Sequence, residues 1–152
     1  MPKARDGERK ADLKKISVAL EQYRSDYGGY PTGMARSGNT PIAQSACGTD
    51  TVLAPYLSEV PCDPESNRPY RYNPLGSCGP GKRTINVCSQ YRILTHLEYT
   101  QDPIIEELCP QATGENHCSG TVQRIDVPGS EAVSGVRPWL NYGVAAGSTV
   151  LR

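Results

Sequence analysis

The strongest hydrophobic pattern in the chain lies near its start, where Leu13, Ile16, Leu20, Tyr23 and Tyr27 recur at spacings of three, four, three and four. That spacing draws one apolar stripe along a helix. Lys14, Lys15, Glu21, Arg24 and Asp26 surround the stripe, and Gly28, Gly29 and Pro31 supply the stop, so the pattern predicts a helix ending near Tyr27. Burying five such side chains is worth about 10 kcal/mol gross, more than helix propensity supplies, so the stripe must dock on something. Upstream, Lys3 to Lys10 is almost wholly charged and reads as helix in water, either a solvated helix start or the neck of a longer helix running toward a membrane.

After the helix the periodicity fades. Thr32 to Thr51 is dominated by Gly, Ser, Thr, Pro and Ala and reads as an irregular connection, followed by a short helical turn at Val52 to Leu57. Pro61, Pro64, Pro69 and Pro74 punctuate a loop in which only Tyr70 to Asn73 reads as extended. Strands are expected at Thr84 to Cys88, Gln90 to Tyr99, Thr121 to Val127 and Trp139 to Ala145, where β-branched and aromatic residues are frequent. Strands so close in sequence pair antiparallel. The expected fold is α+β, loop-rich, with an N-terminal amphipathic helix packed on an antiparallel sheet.

A length of 152 residues fits one domain, taken as residues 1–152, with 1–30 as helix and 31–152 as loops and sheet. Sixteen basic and sixteen acidic residues give a formal net charge of zero and no general attraction to nucleic acid. Lys3, Arg5, Arg9, Lys10, Lys14 and Lys15 are interleaved with Asp6, Glu8 and Asp12, a mixed solvated helix by this reading. Six cysteines, none in a C-x-x-C pair, point to disulfides and an oxidising compartment. Fifteen pairings are possible. Local ones are expected, Cys47 with Cys62, Cys78 with Cys88 and Cys109 with Cys118, because each pair brackets a Gly- or Pro-bearing loop whose ends must already approach; Cys47 can also reach across the sheet. Each such bridge contributes roughly 2.5 to 3 kcal/mol on the chain-entropy estimate.

No catalytic constellation emerges. His96 and His117 are the two histidines, and neither a nucleophile elbow nor an activated-cysteine context accompanies them. His117 beside Cys118 matches no standard zinc spacing, and Gly79-Pro80-Gly81-Lys82 is a turn that lacks the full phosphate-loop pattern.

Three stretches carry a family resemblance. The run Ala4-Arg5-Asp6-x-x-Arg9-Lys10-Ala11-Asp12-Leu13-x-x-Ile16-x-x-Ala19-Leu20-Glu21-x-Tyr23-x-x-Asp26-x-Gly28-x-Tyr30-Pro31 resembles the segment where the helix of type II secretion pseudopilins and type IV pilins enters the head. Leu53-x-x-Tyr56-Leu57-x-x-Val60-Pro61-x-Asp63-Pro64 with Tyr70-x-Tyr72, and Tyr91-x-Ile93-Leu94-x-x-Leu97-Glu98, are similar to later parts of the major-pseudopilin pattern.

The resemblance implies a non-enzymatic filament subunit whose partners are other copies of itself and related pilins. It also implies a membrane contact through an apolar N-terminal helix that precedes this chain, and a place at the cell surface or in the periplasm. A minor pilin or adhesin-type module of the same fold, binding a surface or DNA, is the alternative. Major pseudopilins are expected to hold calcium in a late loop. Glu115, Asn116 and Asp126 are scattered oxygen donors here, fewer than the six to eight ligands calcium takes, so no cofactor is assigned.

Overall fold

The computed structural model describes residues 2–95, 97–98, 142–145 and 149–150. Among the described residues one long helix, α1 (Pro2–Tyr27), is followed by seven strands: β1 (Tyr30–Pro31), β2 (Ala35–Ser37), β3 (Thr40–Ile42), β4 (Arg71–Pro80), β5 (Asn86–Thr95), β6 (Tyr142–Ala145) and β7 (Thr149–Val150). The arrangement is α+β, a helix packed on an antiparallel sheet.

The helix ends because Gly28 adopts a left-handed φ of 86° and donates its N–H to the carbonyl of Arg24 at 2.8 Å. This is the backbone state a helix C-terminus favours and a side chain resists. Lys82 then donates its backbone N–H to the Tyr27 carbonyl at 2.8 Å, satisfying another of the orphaned helix acceptors.

β5 is the centre of the sheet. β4 pairs along one edge of it, while β1 and β6 share the other edge at opposite ends, Tyr30 opposite Cys88 and Thr95 opposite Tyr142, and β7 adds to β6. Direct pairing places Tyr72, Tyr91, Ile93 and Val144 on the face toward the helix, where they meet Leu13, Ile16, Leu20 and Tyr23 in one apolar cluster. The expected stripe is therefore the docking face of α1. Met34, Leu53 and Val60 complete the cluster from the connection between the helix and the sheet.

Several local expectations need correction. Thr84 to Cys88 and Gln90 to Tyr99 are not two strands: one continuous strand runs Asn86–Thr95. The irregularity sits instead in β4, whose register shifts between Leu75 and Cys78. Gly76 takes a φ of 79° there, and Ser77 donates its N–H to Ser89 Oγ at 2.9 Å, so two residues oppose one in a glycine bulge. β4 itself extends to Pro80, well past Asn73, and takes in Pro74, Gly79 and Pro80. Among the described residues its outer edge pairs with no strand, and an edge strand tolerates a proline because the missing N–H breaks no ladder. The turn that follows lies at Gly81 to Ile85, closed by the Gly81 N–H on the Ile85 carbonyl at 2.9 Å.

The Thr32 to Thr51 connection is not wholly irregular either. It contains the β2–β3 hairpin, with Ser37 opposite Thr40 and Gly38 at a φ of 61° at the first turn position, where a two-residue hairpin turn requires a glycine. Val52 to Leu57 forms the expected turn, Leu57 donating to the Leu53 carbonyl at 2.8 Å. The strand expected at Thr121 to Val127 lies outside the described residues, and of Trp139 to Ala145 the structure describes β6 alone.

Candidate functional site

In the filament subunits that the sequence resembles, the helix must be fixed to the head, so the helix–head junction is the candidate site. The chain contains no Phe, and the aromatic volume of the core falls to tyrosine, whose hydroxyl must find a partner when buried. The helix provides those partners in sequence order. Tyr70 donates to Asp12 at 2.6 Å, the Tyr91 hydroxyl meets Ser17 Oγ at 2.7 Å, Tyr30 donates to Glu21 at 2.6 Å, and Tyr56 donates to Asp26. Burial, reinforced by the Asp12 carboxylate, holds the Tyr70 hydroxyl well above the usual tyrosine range. Burial likewise pushes Tyr91 up to about 12.

The apolar stripe is thus flanked by a polar seam. Removing the Tyr70 hydroxyl in Tyr70→Phe should destabilise the head by about 1 to 3 kcal/mol in denaturant unfolding, because the buried Asp12 carboxylate loses its donor. No change in midpoint would show that water serves Asp12 equally well.

Toward the N-terminus of α1 the seam becomes ionic. Arg9 is 2 % exposed and its guanidinium reaches four carboxylates: Asp6 at 2.8 Å, Asp63 at 2.7 Å, Glu98 at 2.6 Å and Glu65 at 3.4 Å. Arg5 forks onto both oxygens of Glu98 at 2.8 and 2.9 Å, and the Glu98 backbone N–H donates to Asp6 at 2.8 Å. Asp63 also accepts the N–H groups of Glu65 and Ser66, which shapes the loop that presents it.

The charges hold one another in the ionised state. The Arg5 guanidinium, working with Arg9 and against burial, keeps the Glu98 carboxyl far below the usual carboxylate range. Burial opposes ionisation of Asp63, but the Arg9 guanidinium and the two loop N–H groups outweigh it, so that carboxyl too is held low. This corrects the reading of Lys3 to Lys10 as a helix in water with Asp6 and Asp12 as solvated counter-charges: Asp6 is 2 % and Asp12 5 % exposed, and both face the head.

Residue composition alone gave Arg9 no role. The available signal was that all three resembling stretches carry members of the junction: Arg5, Asp6 and Arg9 in the first, Asp63 in the second, Glu98 in the third. The fold brings all three stretches together at a single guanidinium.

Among the described residues two bridges staple the head. Cys47 joins Cys62 with Cα atoms 5.3 Å apart, beside mutual backbone hydrogen bonds between Gly48 and Val60, and Cys78 joins Cys88 across β4 and β5. Cys109 and Cys118 lie outside the described residues, as do His96, His117, Glu115, Asn116 and Asp126. Among the described residues no group of three metal-ligating side chains is arranged to hold an ion. No helix among them is long and apolar enough to cross a membrane.

A single long helix docked by one face on a disulfide-stapled antiparallel sheet defines a pilin-like head. A family model described as type II secretion system (T2SS), protein G matches residues 1–90. The chain belongs to that family, the major pseudopilins of type II secretion, whose role is structural and whose place is extracytoplasmic in the cell envelope. No curated protein and no solved structure matches the chain.

Proposed function

We propose that this chain is a structural, non-catalytic subunit of a type II secretion pseudopilus, assembling with other copies of itself and with related pseudopilins into an extracytoplasmic filament. The observation that carries the reading is the family match over residues 1–90, which spans all of α1 and the loop bearing Asp63. In this reading residues 1–152 act as one pilin-like domain, and an apolar helix N-terminal to α1 anchors the subunit in the inner membrane before assembly. The Arg9 junction supports this assignment physically. A helix that transmits its position to a head needs the two fixed as one body, and a buried guanidinium shared by the helix, the Asp63 loop and Glu98, just beyond β5, does so.

The test is composition of the filament. When the full gene is expressed with its secretion apparatus, sheared filaments should contain this chain as the dominant subunit, and its deletion should stop export of the apparatus's substrates. A chain that is scarce in the filament would favour a minor, tip-located or adhesive role, and one absent from it would overturn the assignment.

A further inference from the structure

The two bridges among the described residues differ in how their sulfurs are placed. Cys47 and Cys62 are both half-buried, and Cys47 packs against the core cluster. Cys78 is exposed, whereas its partner Cys88 is only 2 % exposed. A thiolate approaching the Cys78–Cys88 bond from solvent therefore meets Cys78 Sγ and not Cys88 Sγ, and access to one sulfur decides which is attacked.

The backbone at Cys78 is open as well. Cys78 and Cys88 stand directly opposite in the β4–β5 ladder with Cα atoms 4.0 Å apart, the close spacing of a non-hydrogen-bonded antiparallel pair. In such a pair each residue turns its N–H and C=O away from the other strand. Those of Cys78 thus lie on the outer edge of β4, which pairs with no strand among the described residues. The bulge at Gly76 and Ser77 interrupts that edge on one side, and on the other Pro80 has no N–H to offer. The edge therefore suits a short extended segment of a partner better than a long strand of a second copy. Beyond the bridge, Gly79 opposite Val87, Pro80 opposite Asn86 and the Gly81–Ile85 hydrogen bond close the hairpin, so the two cysteines stay face to face when the S–S bond opens.

We infer that Cys78 is the exchange sulfur of the folded head, the point at which a dithiol–disulfide oxidoreductase engages it by pairing briefly along β4. In the reducing direction the partner's thiolate attacks Cys78 Sγ and forms a mixed disulfide, while the Cys78–Cys88 bond breaks and Cys88 leaves with the electron pair and takes a proton. The partner's second thiol, giving up its proton, then displaces Cys78, so the partner ends as a disulfide and the head with two thiols. The reverse sequence installs the bond: the Cys78 thiolate attacks the oxidised partner, Cys88 closes on Cys78 Sγ, and the partner leaves reduced by two electrons. An oxidising compartment drives the exchange that way. Cys47–Cys62 takes no part. The inference concerns the head by itself and does not depend on filament assembly, so either can fail alone.

The experiment exposes the folded, oxidised chain to reduced thioredoxin as the dithiol protein, with acid quenching, alkylation and peptide mapping over time. Cys78–Cys88 should open at least about tenfold faster than Cys47–Cys62, and faster than dithiothreitol opens it at the same dithiol concentration. The head with that bond open should still melt in one cooperative transition, at a lowered temperature. In the installing direction, Cys88→Ser, which leaves Cys78 as the thiol of the pair, should form a mixed disulfide with oxidised glutathione at least about tenfold faster than Cys78→Ser. Earlier or equal opening of Cys47–Cys62, no advantage of thioredoxin over dithiothreitol, loss of the cooperative melt once Cys78–Cys88 opens, or conjugation of the two variants at equal rates would each overturn it.

Discussion

Leu20→Asp should abolish cooperative folding of the head, while Lys15→Asp should leave its melting curve almost unchanged. Leu20 is completely buried among α1 and the helix-facing side of the sheet, whereas Lys15 is exposed on the opposite face of the same helix. The first substitution forfeits about 2 to 3 kcal/mol of apolar burial and adds the cost of an unpaired carboxylate in a packed core. Their sum is comparable to the whole stability of a domain of this size, about 5 to 15 kcal/mol. The second change removes no buried contact and should stay within about 0.5 kcal/mol. Circular-dichroism melts of the two variants beside the parent decide the matter, and equal transition temperatures would show that the docking face of α1 has been misplaced.

What the sequence reveals and what it hides divides along contact range. The Leu13, Ile16, Leu20, Tyr23 stripe is a local signal, since a helix imposes its own period whatever it packs on, and it is legible without the sheet. Met34 is as deeply buried, yet it sits alone among small or polar neighbours, and only the tertiary path of the connection makes it core. The prolines mislead for a related reason. Pro74 and Pro80 break a strand in isolation, but on the outer edge of β4 they break nothing.

The charged helix start misleads most. Asp6, Arg9 and Asp12 follow the same three-residue step that carries on to the apolar stripe, and a period written in charged residues is easily read as solvation. Their partners, Asp63, Glu98 and Tyr70, are all more than fifty residues away, beyond any window-based reading.

That junction gives the other large expected effect. Arg9→Met should cost about 3 to 5 kcal/mol at neutral pH, because it removes the buried cation on which Asp6, Asp63 and Glu98 converge, and Arg5 still pairs with Glu98 but not with Asp6 or Asp63. Arg9→Lys should fall between the variant and the parent. It restores the charge, but an ammonium is a point donor, whereas the guanidinium reaches Asp63 from Nε and Nη2 and Asp6 and Glu98 from Nη1.

The pH dependence separates this ionic role from simple loss of packing. In the parent, Asp63 and Glu98 titrate lower in the folded state than in the unfolded chain. Their contribution is therefore complete above the unfolded values, about 3.9 and 4.3, and is lost as pH falls through the lower folded ones. In Arg9→Met this contribution is weakened at Asp63. Glu98 keeps its Arg5 partner, but Asp63 loses the guanidinium that overcomes its burial and binds a proton more readily in the folded variant than in the folded parent, so acidification relieves the defect. The stability gap between parent and variant should thus be widest near neutrality and close steadily below about pH 5. Urea unfolding of the two proteins across that range measures it. A gap that stays constant with pH would mean that Arg9 acts by filling space, and a variant as stable as the parent at neutral pH would remove the junction from any role in fixing helix to head.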